Sequence, residues 1–220
     1  YRPEGEPAGR LALVGKGIMY DAGGLALKPG DEVHATMKND MTGAAAILGA
    51  MTALRALGCR AQVTGYLMCT DNMPSGSALR LGDIVVMRGG KTVEVINTDA
   101  EGRLILADAL TRAGELKPAL TLDFATLTGA ARAAMGAEVM PIFANKDQTA
   151  KDLQTIGLSI DDPMWHLPLW GPYREDLDSD VADIGSVGGK AGMITAALFL
   201  QAFVGAEQDW VHYDIYSWRD

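Results

Sequence analysis

Short apolar runs of strand length alternate along this chain with longer Ala-, Leu- and Met-rich segments of helical length. No other feature restricts the fold as much. Leu11–Val14, Gln62–Cys69, Leu120–Phe124, Val139–Phe143 and Trp210–Tyr216 read as strands. Gly43–Leu57, Leu104–Ala113, Gly129–Met135, Thr149–Leu158 and Ala191–Val204 read as helices, and the small residues in the first and last allow close packing on a sheet. Ile84–Met87 and Thr92–Ile96, split by Arg88-Gly89-Gly90-Lys91, have the pattern of a β-hairpin. Strands alternating with helices predict an α/β domain with a mostly parallel central sheet and helices on both faces.

Residues 1–10, with Pro3, Gly5, Pro7 and Gly9, read as a linker leading into one domain over residues 11–220. Gly15 to Gly24 reads as a glycine-rich loop, and a second loop runs through Pro29-Gly30-Asp31. Asp71–Arg80 reads as irregular, and residues 161–190 are the least regular stretch. No apolar run approaches bilayer-spanning length. Nineteen basic against 28 acidic residues give a net charge of −9, the opposite of what a phosphate-backbone binder shows, and leave carboxylates for cations. Cys59 and Cys69 lack CxxC spacing, which points to neither a structural zinc site nor a disulfide framework and favours a reducing, cytoplasmic compartment.

Two charged clusters stand out. Asn97-Thr98-Asp99-Ala100-Glu101-Gly102-Arg103-Leu104 follows the hairpin and precedes a helix. On an extended backbone Asp99, Glu101 and Arg103 would project to one side; alternatively, Asp99 caps the helix and Glu101 pairs with Arg103 at the surface. Lys16, Asp21 and Lys28 follow the strand Leu11–Val14, at the strand end where open α/β sheets place ligands. Neither phosphate-binding glycine pattern is present, which disfavours a nucleotide cradle. Asp40 adds a third acid before the helix at Gly43, where capping explains it equally well.

Val14-Gly-Lys-Gly-Ile-Met-Tyr-Asp-Ala-Gly-Gly, Met37-Lys-Asn-Asp-Met, Asp71-Asn-Met-Pro-Ser-Gly-Ser-Ala, Asn97-Thr-Asp-Ala-Glu-Gly-Arg-Leu and Ala125-Thr-Leu-Thr-Gly resemble the leucyl aminopeptidase (cytosolic aminopeptidase) family, in sequence and in order. The resemblance runs from about Leu11 to about Asp214, and the octapeptide is its most specific signature. It implies a metallo-aminopeptidase catalytic domain without the family's separate N-terminal domain and without the last segment of the catalytic domain. It makes Lys16, Asp21, Asp40, Asp99 and Glu101 ligands to two divalent metals, and Lys28 and Arg103 catalytic cations, Arg103 holding a bicarbonate. The donors are carboxylate-rich and histidine-free, which suits Mn2+ or Mg2+, while the Lys16 amine leaves Zn2+ open. Holding Lys16 neutral at pH 7 would cost roughly 4–5 kcal/mol from a reference pKa near 10.4, which an adjacent dication can supply.

The implied reaction is hydrolysis of the first peptide bond of a peptide with a free N-terminus, by water activated between two metals. The implied first-residue pocket uses Met37, Thr126 and Gly129. Tyr216, Ser217, Trp218 and Arg219 stand where leucine-preferring members carry small or flexible apolar residues. The resemblance also implies a homo-hexamer. Its alternatives are a DNA-binding regulatory member, opposed here by the acidic balance, and a non-catalytic scaffold subunit, opposed by the intact ligand and catalytic positions.

Overall fold

The computed structural model describes residues 1–216. In chain order its strands are β1 (Arg10–Asp21), β2 (Gln62–Asn72), β3 (Ile84–Val86), β4 (Thr92–Glu94), β5 (Leu120–Ala125), β6 (Met140–Ala144), β7 (Met164–His166), β8 (Ile184–Gly185) and β9 (Trp210–Asp214). The α-helices are α1 (Glu32–Ala35), α2 (Thr42–Ala53), α3 (Glu101–Gly114), α4 (Gly129–Met135), α5 (Asp147–Ser159) and α6 (Gly192–Gln201). Six strands form one sheet in the order β2-β1-β5-β9-β6-β7. The first four are parallel; β6 runs antiparallel to β9, and β7 parallel to β6. The expected hairpin forms, but β3 and β4 join β8 in a separate three-stranded sheet.

Alternation along β1 sends its side chains into two different cores. Ala12 and Val14 pack with Leu106, Ala107 and Leu110 of α3, while Leu13 packs on the opposite face with Ile47 of α2 and Val63 of β2. The segment Thr195–Leu200 of α6 is buried throughout, as expected for a helix apolar on every side. It packs beyond α3 in the same cluster, so α3 lies between the sheet and α6. Truncating the fully buried Phe199 to Ala would remove about 3–5 kcal/mol.

Three sequence expectations need correction. Gly15–Tyr20 is strand rather than loop, and β1 turns only after Asp21. Its glycines serve close approach rather than flexibility: a Cβ on Gly15 would lie 2.7 Å from Ala44 Cα, and one on Gly43 would lie 2.1 Å from the Phe124 carbonyl oxygen. Asp71 and Asn72 belong to β2 rather than to an irregular loop. The Asn97–Leu104 segment is not extended, because Asn97 Oδ1 accepts from Asp99 N, Thr98–Ala100 forms a 3-10 turn, and α3 starts at Glu101. Its acids reach the site from a helix start instead. The short elements α1, β7 and β8 fell below any periodic signal.

Candidate active site and metal centre

The site forms where β1, β2 and β5 end. Register along β1–β2 runs Lys16↔Met68, Ile18↔Thr70 and then Asp21↔Asn72, so β1 carries one extra residue between Ile18 and Asp21. A one-residue bulge reverses the alternation of side chains beyond it. Lys16 and Asp21, five positions apart, would face opposite sides of a regular strand; the bulge brings them to the same side, together with Asn72. Lys16 then passes over the first turn of α3, where a Cβ on Gly102 would sit 2.6 Å from Lys16 Cε. That close passage requires the glycine between Glu101 and Arg103.

The acids gather around two ammonium groups. Lys16 Nζ lies 2.8 Å from Asp40 Oδ2 and 3.2 Å from Glu101 Oε1, and donates to the Thr126 carbonyl at 3.0 Å. Lys28 Nζ lies 3.1 Å from Asp21 Oδ2 and 2.5 Å from Asp99 Oδ1. Lys16, Asp21, Asp40 and Glu101 are buried, while Lys28 and Asp99 are partly open to the cleft. Burial acts to lower the Lys16 pKa, but Glu101, Asp40 and Asp21 outweigh it and hold the pKa above the ordinary lysine value. Burial, reinforced by Glu101 and only partly opposed by Lys16 and Thr126, pushes Asp40 up to about 7. Lys28 is likewise raised: burial opposes the shift, and its bonds to Asp99 and Asp21 prevail.

Donors from outside the cluster engage one oxygen of each of three acids. Asp21 Oδ1 accepts from Gly23 N at 2.9 Å and Asn72 Nδ2 at 2.8 Å, and Glu101 Oε2 accepts from Asn72 Nδ2 at 3.0 Å. Asp40 Oδ1 accepts from the Thr126 hydroxyl at 2.6 Å. The second oxygens face inward. Among the described residues, Asp40 Oδ2, Glu101 Oε1 and also Asp99 Oδ1 are buried without a well-directed hydrogen bond, holding only their contacts to ammonium groups. One ligand atom from each of Asp21, Asp40 and Glu101 lies within 4.8 Å of the others. Hard, inward-facing, under-satisfied oxygens at that spacing fit a divalent cation.

Arg103 projects from the first turn of α3 into the same cleft, donating from Nη1 to the Ser186 carbonyl at 2.8 Å, with its guanidinium 5.9 Å from the Phe199 ring centre. Its Nε makes no hydrogen bond among the described residues. Burial lowers its pKa to about 10 against the pull of Glu101 and Asp214, so it remains a cation. Lys16, Asp21, Lys28, Asp40, Asp99 and Arg103 line a cleft of about 270 Å³, with Met37, Thr126 and Gly129 in its wall. Glu101 reaches the cluster from behind. Tyr216 also lines the cleft, while Ser217, Trp218 and Arg219 lie outside the described residues. A larger cavity of about 760 Å³ opens near the starts of β5 and β9, but among the described residues Glu207 is its single carboxylate, so the chemistry belongs to the smaller cleft.

The histidines lie elsewhere: His34 beside Tyr20, His166 in β7, and His212 in the core against Asp123. Sequence reasoning missed Asn72, whose amide reaches both Asp21 and Glu101. Its available signal was an Asp-Asn pair directly after a strand-like run, at the sheet end that carries the other polar groups.

A profile of the cytosol aminopeptidase family, catalytic domain, matches residues 1–220. The chain is 48% identical over 217 residues to a "Probable cytosol aminopeptidase" of Chlorobium phaeobacteroides, covering 98% of this chain and 43% of that protein. It is 50% identical over 206 residues to a protein of the same name from Streptomyces griseus, covering 93% of this chain and 40% of the other. A solved structure of the "Bottromycin maturation enzyme BotP" superposes with a TM-score of 0.90 at 43% identity, over 96% of this chain and 46% of that one. The chain thus spans less than half the length of these relatives, and it belongs to the cytosol aminopeptidase family as a catalytic domain.

Proposed function

We propose that this domain catalyses metal-dependent hydrolysis of the N-terminal residue of peptides. The observation that carries the reading is the set of acids with their open oxygens turned inward, beside two cations that line the same cleft. Asp21, Asp40, Asp99, Glu101 and Lys16, the last as a neutral amine, would hold two divalent ions such as Mn2+, Zn2+ or Mg2+. When bound, these ions would polarise the scissile carbonyl and lower the pKa of the attacking water.

The chain's own residues do the rest. Lys28 is kept protonated by Asp21 and Asp99 and is partly exposed at the cleft, so its N–H bonds can stabilise the oxyanion that forms on the carbonyl. Arg103, fixed by Ser186 and Phe199, offers a guanidinium for a small anion such as bicarbonate, which would take the proton of the attacking water. Met37 and Gly129 leave an apolar wall for the first side chain. Thr126 contributes less to that wall than its position implies, because its hydroxyl and carbonyl are engaged by Asp40 and Lys16. A cytoplasmic location and a homo-hexamer are part of the same proposal, resting on the family resemblance alone. No described helix is long and apolar enough to cross a membrane.

A short peptide and its N-acetyl derivative test the reading on the full-length enzyme with Mn2+ added. The free amine's lone pair is available to a cation, whereas that of the acetylated nitrogen is delocalised into an amide. The free peptide should be cut and the acetylated one left intact. Similar kcat/KM for both would remove the aminopeptidase assignment.

A further inference from the structure

We propose that Asn72 is a positioning residue that couples the two halves of the metal centre, an inference that rests on the metal-dependent reading above. Around the two ammonium groups the acids fall into two poles, Asp40 with Glu101 at Lys16 and Asp21 with Asp99 at Lys28. The two N–H bonds of Asn72 Nδ2 are shared among three acceptors, one acid of each pole, Asp21 Oδ1 at 2.8 Å and Glu101 Oε2 at 3.0 Å, and the Thr98 carbonyl at 3.0 Å. Thr126, by contrast, touches the carboxylate of one pole only, through Asp40.

The placement of Asn72 is built into the fold. It is the last residue of β2, and its backbone carbonyl accepts from Ala22 N at 2.9 Å. A Cβ on Gly24 would sit 2.9 Å from Asn72 Oδ1, so the turn after β1 closes against the amide and leaves it little room to rotate. The Thr98 carbonyl belongs to the 3-10 turn just before α3, so the same nitrogen ties β2 to the segment that delivers Asp99 and Glu101.

The chemical consequence is a sorting of oxygens. A carboxylate can present either oxygen to a cation, and free rotation would leave two buried acids with no fixed donor geometry. With Oδ1 of Asp21 and Oε2 of Glu101 engaged by one amide, Asp21 Oδ2 and Glu101 Oε1 are turned inward. The NH2 group, a donor with no acceptor capacity, also offsets repulsion between the two acids from outside the ligand set. Outer hydrogen bonds of this kind typically govern metal affinity by 10- to 100-fold.

Calorimetric titration of the full-length, chelator-stripped protein with Mn2+ alone tests the coupling, with stoichiometry and affinity read separately from activity. Asn72→Leu keeps the approximate shape and removes the donor; Asn72→Ala is the second variant should Leu disturb folding, and circular dichroism checks both. The wild type should bind two equivalents. Asn72→Leu should weaken both binding steps by 10- to 100-fold, while Thr126→Val should weaken one step and leave the other near wild type. Asn72→Gln, which restores an amide donor, should recover part of the loss. Wild-type affinity at both steps in folded Asn72→Leu and Asn72→Ala would overturn the coupling while leaving the metal-dependent reading intact. A wild type that binds no Mn2+ would overturn both. Weakening of a single step in the Asn72 variants would reduce the residue to an ordinary contact of one carboxylate and overturn the coupling.

Discussion

The molecule holds two sets of buried acids, and they are satisfied differently. Asp123 and Asp214, at or near the ends of β5 and β9, have both oxygens engaged. Asp123 meets His212 Nδ1 at 2.6 Å and accepts from Trp210 Nε1 at 2.7 Å. Asp214 accepts from Leu127 N, Thr128 N and the Thr128 hydroxyl. Asp40 and Glu101 are comparably buried, yet each keeps one inward oxygen without a well-directed hydrogen bond. Among the described residues those two oxygens meet only the Lys16 ammonium, at 2.8 and 3.2 Å, a cation contact that another cation can replace. The first set fastens the sheet; the second reserves its oxygens for a ligand.

The contrast breaks most readily at Asp123. Asp123→Ala leaves His212 and Trp210 buried with unpaired donors and should lower stability by about 3–5 kcal/mol. Asp40→Asn removes a carboxylate that burial already pushes up to about 7, so it should cost clearly less stability while abolishing one of the two Mn2+ binding steps. Urea unfolding in chelator measures both; equal losses would erase the distinction. The Asp123 pair also predicts a pH sign. Burial would lower the His212 pKa, but Asp123 outweighs it, so the folded value is raised above the usual 6.5. The stability it contributes is therefore fully present below pH 6.5 and lost as pH rises through the folded pKa. Wild type should lose its advantage over His212→Gln on that alkaline side.

Lys28→Ala sharpens the same contrast from the functional side. Its partners Asp21 and Asp99 already face the cleft region, so removal should disturb the core little. Loss of one oxyanion donor should lower kcat by about 10²–10³-fold, with metal content unchanged. A wild-type kcat would take Lys28 out of the mechanism.

How much of this was legible in the sequence follows the same division. The acids and cations of the site could be named only through the family resemblance of the motifs that carry them, since residue type and spacing alone left helix capping and surface pairing open. Alternating periodicity gave the sheet and its covering helices, including α4 to the residue. The route by which the site residues meet could not be read. Glycine at 15 and 17 looks like loop until α2 is seen crossing the strand, where Gly15 meets Ala44. The bulge that brings Asp21 to the side of Lys16 exists only in the pairing with β2. Asn72 carries no charge, and its importance comes from three acceptors contributed by distant segments. His212 could be assigned to core or surface but not to a partner, since Asp123 lies on the neighbouring strand.

A third kind of acid completes the series with the smallest expected effect. Glu115, just beyond α3, takes Arg88 Nε at 2.7 Å and Arg88 Nη2 at 3.1 Å, and also pairs with Arg112. Those hydrogen bonds, from Arg88 first and Arg112 second, hold its carboxyl down to about 2 from the usual 4.5. The sign is opposite to that of His212: the contribution is present above pH 4.5 and lost as pH falls from there toward 2. Because all three side chains stand about half exposed, water and salt screen the pairs, and a large shift here converts into little stability. Glu115→Gln should therefore lower the unfolding midpoint at pH 7 in low salt by far less than Asp123→Ala does. The gap should shrink as pH falls below 4.5, and it should also shrink in 1 M NaCl. A gap as large as that of Asp123→Ala, unchanged by acid and salt, would show that the number of partners rather than burial decides what an acid contributes in this fold.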